Sequence, residues 1–193
     1  MITGRSQASL DEALERLGSG AVAVRGDVSS LTELDSLAER VNGELGTIEA
    51  LFVNAGTASL TPFESTTEAT YDQVFTVNVK GAFFTVQKLA PLLSDGAGVV
   101  LTTSVANVVG ILETSVYAAS KAALRSLART FSRELLPRGV RVNAISPGPI
   151  DTGILESPMT DEEAVQFKEK RVADNPMRRF GTDPPVARSP NRC

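Results

Sequence analysis

The 193-residue chain has a formal net charge of -4 and is 42% hydrophobic and 22% charged, as is typical of one soluble globular domain. This balance argues against a nucleic-acid-binding surface, and the absence of histidine excludes imidazole bases and most zinc sites, so no metal site is expected. The only cysteine is Cys193, and no apolar run reaches the length of a membrane span. We therefore expect a cytoplasmic protein without a membrane partner.

The N-terminal part of the chain alternates short apolar runs with helical patterns. Three strands are predicted, at residues 1–5, 21–24 and 48–53. The third run is almost continuously apolar, which predicts a parallel strand covered on both faces. Ser6 is a candidate cap for a helix that ends near Leu17, and Ser30 with Glu33 forms a candidate capping box for the next helix.

The remaining chain continues this alternation. A long helical region is predicted from about Thr67 to Leu93, with a break near Asn78. Further strands are predicted at 99–103 and 140–145, with a helix at 115–136 between them. Strands alternating with helices of this length indicate a doubly wound α/β fold with a parallel sheet. The domain is expected to cover 1–182, including a lid at 151–177, and the proline-containing segment 183–193 is expected to be disordered.

Tyr117 and Lys121 form the most informative pair of polar residues. Their i and i+4 spacing places a phenol and an ammonium on one face of the predicted helix. An ammonium beside a phenol favours the phenolate and lowers its pKa. Tyr117 is therefore a candidate acid or base, and Ser104, 13 residues upstream, is a candidate for holding a substrate oxygen.

Several further motifs occur in a definite order along the chain. The triplet Asn54-Ala55-Gly56 follows the third apolar run, Asn78 lies in VNVKG, and RVN at 141–143 precedes Pro147-Gly148-Pro149. With Ser104, Tyr117 and Lys121, this series resembles the short-chain dehydrogenase/reductase family over nearly the whole chain. The resemblance implies a Rossmann-like doubly wound sheet and hydride transfer between a nicotinamide and a carbonyl or alcohol carbon.

Both ends of the sequence depart from the family pattern. Family members have a strand and a glycine-rich Thr-Gly-x-x-x-Gly-x-Gly turn ahead of the strand that ends here at Thr3-Gly4-Arg5. That strand lies in the middle of the family sheet. We therefore expect a sheet that lacks its first central strand and its last strand, divided into two parts and marginally stable alone.

The resemblance also implies roles for individual side chains. Tyr117 is expected to donate the proton in reduction and accept it in oxidation, with its pKa lowered by Lys121. Lys121 is also expected to bind the nicotinamide ribose, and Ser104 to orient the substrate oxygen. Asn78 is expected to hold a water in a proton relay, although bonding to the backbone at the helix break is an alternative for it.

The expected cofactor is NADP(H) rather than NAD(H). An arginine after the strand end, here Arg5, suits a ribose 2′-phosphate, where an acidic residue would suit the hydroxyl. The remaining cofactor contacts implied by the resemblance are Asp27, Val28, Asn54, Ala55, Gly56, Tyr117, Lys121, Pro147, Gly148, Ile150 and Thr152. No glycine turn is present for the pyrophosphate, so weak or no dinucleotide binding is expected.

Two functional hypotheses follow from these observations. The first is an NADP(H)-dependent oxidoreductase of small carbonyl or alcohol substrates, which forms homo-oligomers through helices at about 79–93 and 115–136. The second is a catalytically inactive, truncated relative that acts by associating with an intact family member. The lid at 151–177 has a single aromatic residue, Phe167, and does not indicate a particular substrate.

Overall fold

The computed structural model describes residues 1–150 and 160–181. The strands of this part are β1 (Ile2–Gly4), β2 (Ala23–Arg25), β3 (Ile48–Val53), β4 (Leu93–Thr102) and β5 (Arg141–Ile145). Its α-helices are α1 (Gln7–Leu17), α2 (Leu31–Leu45), α3 (Glu68–Phe75), α4 (Ala82–Leu89), α5 (Ser115–Glu134) and α6 (Asp161–Asp174). This order confirms the α/β alternation predicted from the sequence. No helix among the described residues is long and apolar enough to cross a lipid bilayer.

Both predicted N-caps are present. The hydroxyls of Ser6 and Ser30 each accept a hydrogen bond from the backbone N–H three residues later, at 3.3 Å. The second half of the predicted capping box is wrong, because the Glu33 carboxylate accepts from the backbone N–H of Asp27 at 2.8 Å. The start of α2 is thereby tied to the loop that follows β2.

The strands form two separate sheets. β1 pairs with β2, and β3, β4 and β5 pair in that order, all in parallel. This division agrees with the expectation for a sheet that lacks its central strand. The expectation that β3 is covered on both faces is wrong. Leu51 and Val53 face the helices, whereas Ala50 is exposed and Phe52 is 54% exposed on the opposite face.

Two apolar clusters hold these elements together. The larger cluster lies between the three-stranded sheet and helices α4 and α5, and includes Val86, Val99, Leu101, Leu124 and Phe131. The smaller one joins α2 to α4 through Leu34, Leu37, Val41 and Leu89. Val24 of β2 and Leu51 of β3 both pack against this smaller cluster, so α2 and α4 connect the two sheets.

The predicted break in the long helix is a π-helical segment. α3 ends at Phe75, residues Thr76–Gly81 are π-helical, and α4 begins at Ala82. Such segments often occur at functional sites because they redirect a side chain. Here Asn78 is fully buried, and Gly81 lies so close to the loop after β2 that a β-carbon would be 2.9 Å from the Val28 carbonyl oxygen.

Gly81→Ala is expected to destabilise the chain, because the added methyl group must displace the Val28 backbone. Overpacking of this kind costs about 1–3 kcal/mol in the free energy of unfolding. Gly43→Ala is the matched control, since Gly43 lies within α2 with nothing within 4 Å of an added β-carbon. This control should stabilise the helix by ~0.5–1 kcal/mol. Urea unfolding followed by circular dichroism measures both, and equal effects of the two substitutions would contradict the packing argument.

Candidate active site

Three loops meet at one edge of the larger sheet. Because β3, β4 and β5 are parallel, their carboxyl ends lie side by side. The loops that follow them begin at Asn54, Thr103 and Ser146. The N-terminal half of α5 packs against this edge, and the polar side chains predicted from the sequence converge there.

Asn78 connects the loop after β3 to helix α5. Its Oδ1 accepts from the Thr57 N–H at 2.8 Å, and its Nδ2 donates to the Thr57 carbonyl at 2.9 Å and to Ser120 Oγ at 2.9 Å. Both N–H groups of the amide are therefore used by the protein. This arrangement matches the alternative in which Asn78 bonds to the backbone at the helix break.

Ser120 is a site residue that the sequence analysis missed. It is fully buried, and its hydroxyl donates to the Tyr117 carbonyl at 2.7 Å while accepting from Asn78. A signal for it was present, because Ser120 lies on the stripe of α5 that continues through the buried residues Leu124, Ala128 and Phe131. A polar residue on an apolar helix face indicates a buried hydrogen bond.

Lys121 is 4% exposed. Its ammonium donates to the Thr102 carbonyl at the end of β4 at 2.9 Å, and it lies 5.8 Å from the centre of the Tyr117 ring. Among the described residues, no carboxylate forms an ion pair with it. Burial lowers the pKa of Lys121 from 10.5 to about 8. A buried, unpaired lysine with a perturbed pKa is a common feature of functional sites.

Tyr117 and Ser104 lie together, as the sequence analysis expected. Burial raises the pKa of the Tyr117 phenol, and a hydrogen bond with the Ser104 side chain acts in the opposite direction. The expectation that this pKa lies below its ordinary value is therefore corrected. The physical reason is that the loss of solvation on burial outweighs the hydrogen bond with Ser104. Ser104 Oγ also accepts from the Ala106 N–H at 3.2 Å, so this residue additionally caps a short turn.

The Asn54-Ala55-Gly56 segment lies beside this group. Asn54 Oδ1 accepts from the Thr102 hydroxyl at 3.0 Å, which joins the loop after β3 to the end of β4. Ala55 is exposed. A β-carbon on Gly56 would lie 3.3 Å from both Asn78 Oδ1 and Lys121 Nζ, so the glycine allows those two groups to approach the backbone.

The loop after β5 is anchored at both ends of its described part. The Pro147 carbonyl accepts from the Val105 N–H at 3.0 Å, next to Ser104, and Gly148 is exposed. Ile150 forms an isolated parallel bridge with Gly181. Thr152 lies outside the described residues, as do 151–159 of the predicted lid and the predicted disordered segment 183–193. Helix α6 occupies most of the remainder of the lid.

The predicted cofactor residues Arg5 and Asp27 lie near each other at the carboxyl ends of β1 and β2. Hydrogen bonds from the Ser29 backbone and hydroxyl lower the pKa of Asp27, and the charge of Arg5 lowers it further. Val28 is partly buried against Gly81. An open cavity of about 650 Å³ lies beside Arg5, and its lining also includes Ile2, Thr3, Gly4, Ser6, Ser9, Leu10 and Ala13.

The side chains at these two positions suggest two kinds of binding. A phenol and a hydroxyl that interact, with a buried ammonium beside them, can bind a carbonyl or alcohol oxygen and exchange a proton with it. A cationic side chain and three hydroxyl groups at the cavity beside Arg5 can bind a phosphate group. The structure thus brings Ser104, Tyr117, Lys121 and Asn78 together, with Arg5 and Asp27 at a second position on the other sheet.

The sequence of the chain matches a known family and several known proteins. The profile of the family described as enoyl-(acyl carrier protein) reductase matches residues 1–189. Oxidoreductase asL5 of Sarocladium schorii is 38% identical over 93% of this chain and 72% of its own length. The hydroxynaphthalene reductase-like protein Arp2 of Metarhizium brunneum is 35% identical over 79% of this chain, which spans 57% of that relative.

A solved structure shows the same fold. The short-chain dehydrogenase/reductase from Brucella melitensis, described as a glucose/ribitol dehydrogenase, superposes with a TM-score of 0.80 at 26% identity, over 93% of this chain and 71% of that protein. The chain belongs to the short-chain dehydrogenase/reductase family of oxidoreductases, with a Rossmann-like parallel fold.

Proposed function

We propose that the site catalyses NADP(H)-dependent hydride transfer to or from a carbonyl or alcohol carbon of a small molecule, with Tyr117 as the acid/base. The observation that carries this proposal is the burial of Lys121, without a carboxylate partner among the described residues, beside the Tyr117 ring. Such a charge costs stability, so its retention favours a functional role. The oxidoreductase relatives support the same reaction class.

The protonation state of the Tyr117 phenol is compatible with its proposed role as the proton donor in reduction. Because burial raises the pKa of Tyr117, the phenol carries its proton at neutral pH and can donate it to a developing alkoxide. Ser104 would hold the same substrate oxygen. Lys121 would keep a positive charge beside the phenolate that results. The water relay at Asn78 stays a prediction, and the hydrogen bonds of its amide support a role in holding Ser120 and Thr57.

NADP(H) supplies or accepts the hydride when it is bound. The residues at the two ends of the proposed cofactor site fit this group, since Arg5 and three hydroxyl-bearing side chains line one cavity and Lys121 lies at the other sheet. The other proposed contacts lie in loops that follow strands: Asp27 after β2, Asn54 and Gly56 after β3, and Pro147 after β5. Among the described residues, none is assigned to the pyrophosphate.

The chain is also proposed to form homo-oligomers through α4 and α5.

The alternative function, a non-catalytic chain associating with an intact relative, is favoured by one observation. β1–β2 and β3–β5 form separate sheets in the described part, which leaves sheet edges unpaired. Fluorescence titration with NADPH decides between the two functions, because a folded chain without saturable binding would favour the alternative.

Tyr117→Phe is expected to lower kcat by at least ~100-fold in NADPH-dependent reduction of ketones, because the proton donor is lost. The chain's second tyrosine offers a matched control. Tyr71→Phe changes a 47% exposed residue of α3 and should leave the rate unchanged. The assay follows loss of reduced nicotinamide absorbance with a panel of aromatic and aliphatic ketones. Retention of most of the rate by Tyr117→Phe would assign the proton transfer to another group.

Lys121→Met is expected to abolish turnover and yet stabilise the fold. The unfolded chain holds the lysine proton more tightly than the folded chain, so the ammonium costs stability below pH of about 8, and this cost disappears towards 10.5. The free energy of unfolding should rise by ~1–3 kcal/mol at pH 7, and the gain should shrink above pH 8.

Urea unfolding between pH 6 and 10 tests this prediction, with urea midpoints and slopes measured at each pH. Lys80→Met is the matched control, because Lys80 is exposed at the π-helical segment and should give no pH-dependent gain. A loss of stability in Lys121→Met that is equal at every pH would show that the hydrogen bond to Thr102 outweighs the burial of the charge.

Arg5→Glu is expected to weaken NADPH binding by ~10-fold or more, because a charge-assisted contact to the 2′-phosphate is replaced by repulsion. NADH binding should change little or improve. Arg16→Glu, in the last turn of α1, is the charge-matched control and should affect the two nucleotides equally. Fluorescence titration of both nucleotides measures the ratio, and equal weakening of both by Arg5→Glu would remove the argument for NADP(H).

A further inference from the structure

The side chain of Asn107 lies at the junction of three segments around the candidate site. Its Nδ2 donates to the Ser104 carbonyl and also to Ser146 Oγ at 3.1 Å, in the loop after β5. Its Oδ1 accepts from an Arg125 N–H on α5 at 3.3 Å. One amide therefore contacts the turn that carries Ser104, the loop that carries Pro147, and the helix that carries Tyr117.

A second set of contacts reinforces the same junction. Thr103, 2% exposed, donates from its hydroxyl to the Ile145 carbonyl at 2.7 Å and lies 2.6 Å from Ser146 Oγ. The Val105 N–H donates to the Pro147 carbonyl at 3.0 Å. The turn after β4 and the loop after β5 are thus joined by side-chain and backbone hydrogen bonds. The Asn107 amide adds a further connection between them.

Arg125 extends this junction along α5. Tyr117, Lys121 and Arg125 occur at i, i+4 and i+8, so they follow one another along one face of the helix. The first interacts with the Ser104 side chain, the second bonds to the end of β4, and the third bonds to Asn107. Three successive turns of the helix therefore contact the end of β4 and the turn that follows it.

We propose that Asn107 is a positioning residue that holds the Ser104 hydroxyl against the Tyr117 phenol and keeps the Ser104 turn in register with the loop at Pro147. Ser104 is only half-buried, and the turn of Val105–Asn107 that it caps is a single 3₁₀ turn. A segment this short has little stability of its own, so the tertiary contacts of Asn107 fix its orientation. The catalytic consequence rests on the proposed function, whereas the geometric one does not.

The phenol of Tyr117 reports this positioning without any substrate. The chain has two tyrosines and no tryptophan, so phenolate absorbance in a Tyr71→Phe background follows Tyr117 alone. Because the Ser104 hydrogen bond lowers the pKa of Tyr117, loosening Ser104 should raise it. Asn107→Ala should shift the titration to higher pH, in the same direction as Ser104→Ala, and should have no further effect in a Ser104→Ala background.

Two further variants complete this experiment. Asn42→Ala replaces an exposed asparagine of α2 and should leave the titration unchanged. Arg125→Ala changes an exposed residue and removes only the outer contact of Asn107, so it serves if Asn107→Ala fails to fold. It should give a smaller upward shift that also vanishes in the Ser104→Ala background. An unchanged titration in both variants, or a shift that persists without the Ser104 hydroxyl, would overturn the proposal.

Turnover provides the second readout. Misplacement of the substrate-orienting hydroxyl should lower kcat by on the order of 10- to 100-fold, with a smaller change in KM. Proportional loss of kcat and of folded protein would indicate a purely structural role and contradict the proposal. If the unsubstituted chain turns over no carbonyl, the proposed function fails, while the Tyr117 titration still decides the role of Asn107.

Discussion

The buried amide of Asn78 is the interaction on which the site depends. Without this partner, an N–H and a carbonyl of the partly buried Thr57 would lose their side-chain hydrogen bonds, and leaving buried polar groups unpaired costs about 1–3 kcal/mol each. The same amide holds Ser120, which lies next to Lys121 in the sequence. One side chain therefore sets the distance between the loop after β3 and the helix that carries the proposed acid/base. The π-helical segment is what directs this side chain inward.

Much of the fold could be predicted from local sequence patterns. Ser6 and Ser30 marked the helix starts correctly, the apolar run Ile48–Val53 is a strand with the predicted bounds, and the helix break falls at Asn78. These features depend on neighbouring residues and on period, which a sequence shows directly. The division of the sheet was predicted from strand order, because the absent strand lies at the centre of the family sheet.

Other features depended on distances that the sequence does not contain. The i, i+4 spacing placed Lys121 near Tyr117 but could not show how far the phenol is buried, and so the predicted direction of its pKa shift was wrong. Glu33 likewise bonds to the loop after β2, where tertiary geometry provides a nearer N–H. The exposed face of β3 was missed because the apolar sequence shows only that both faces of the strand could be buried. Whether a face is covered depends on which helices pack against it.

The separation into two sheets also has a consequence for cooperativity. β1 and β2 are hydrogen-bonded to each other and connected by α1, and this unit reaches the larger sheet through the α2–α4 cluster and the contact of Val28 with Gly81. Such a unit can open at a lower free energy than the rest of the molecule, with faster amide hydrogen exchange. Arg5 and Asp27 lie on this β1–α1–β2 unit, so the proposed nucleotide binding would be coupled to the ordering of the unit. Part of the binding free energy would then offset the conformational entropy lost when the unit becomes ordered.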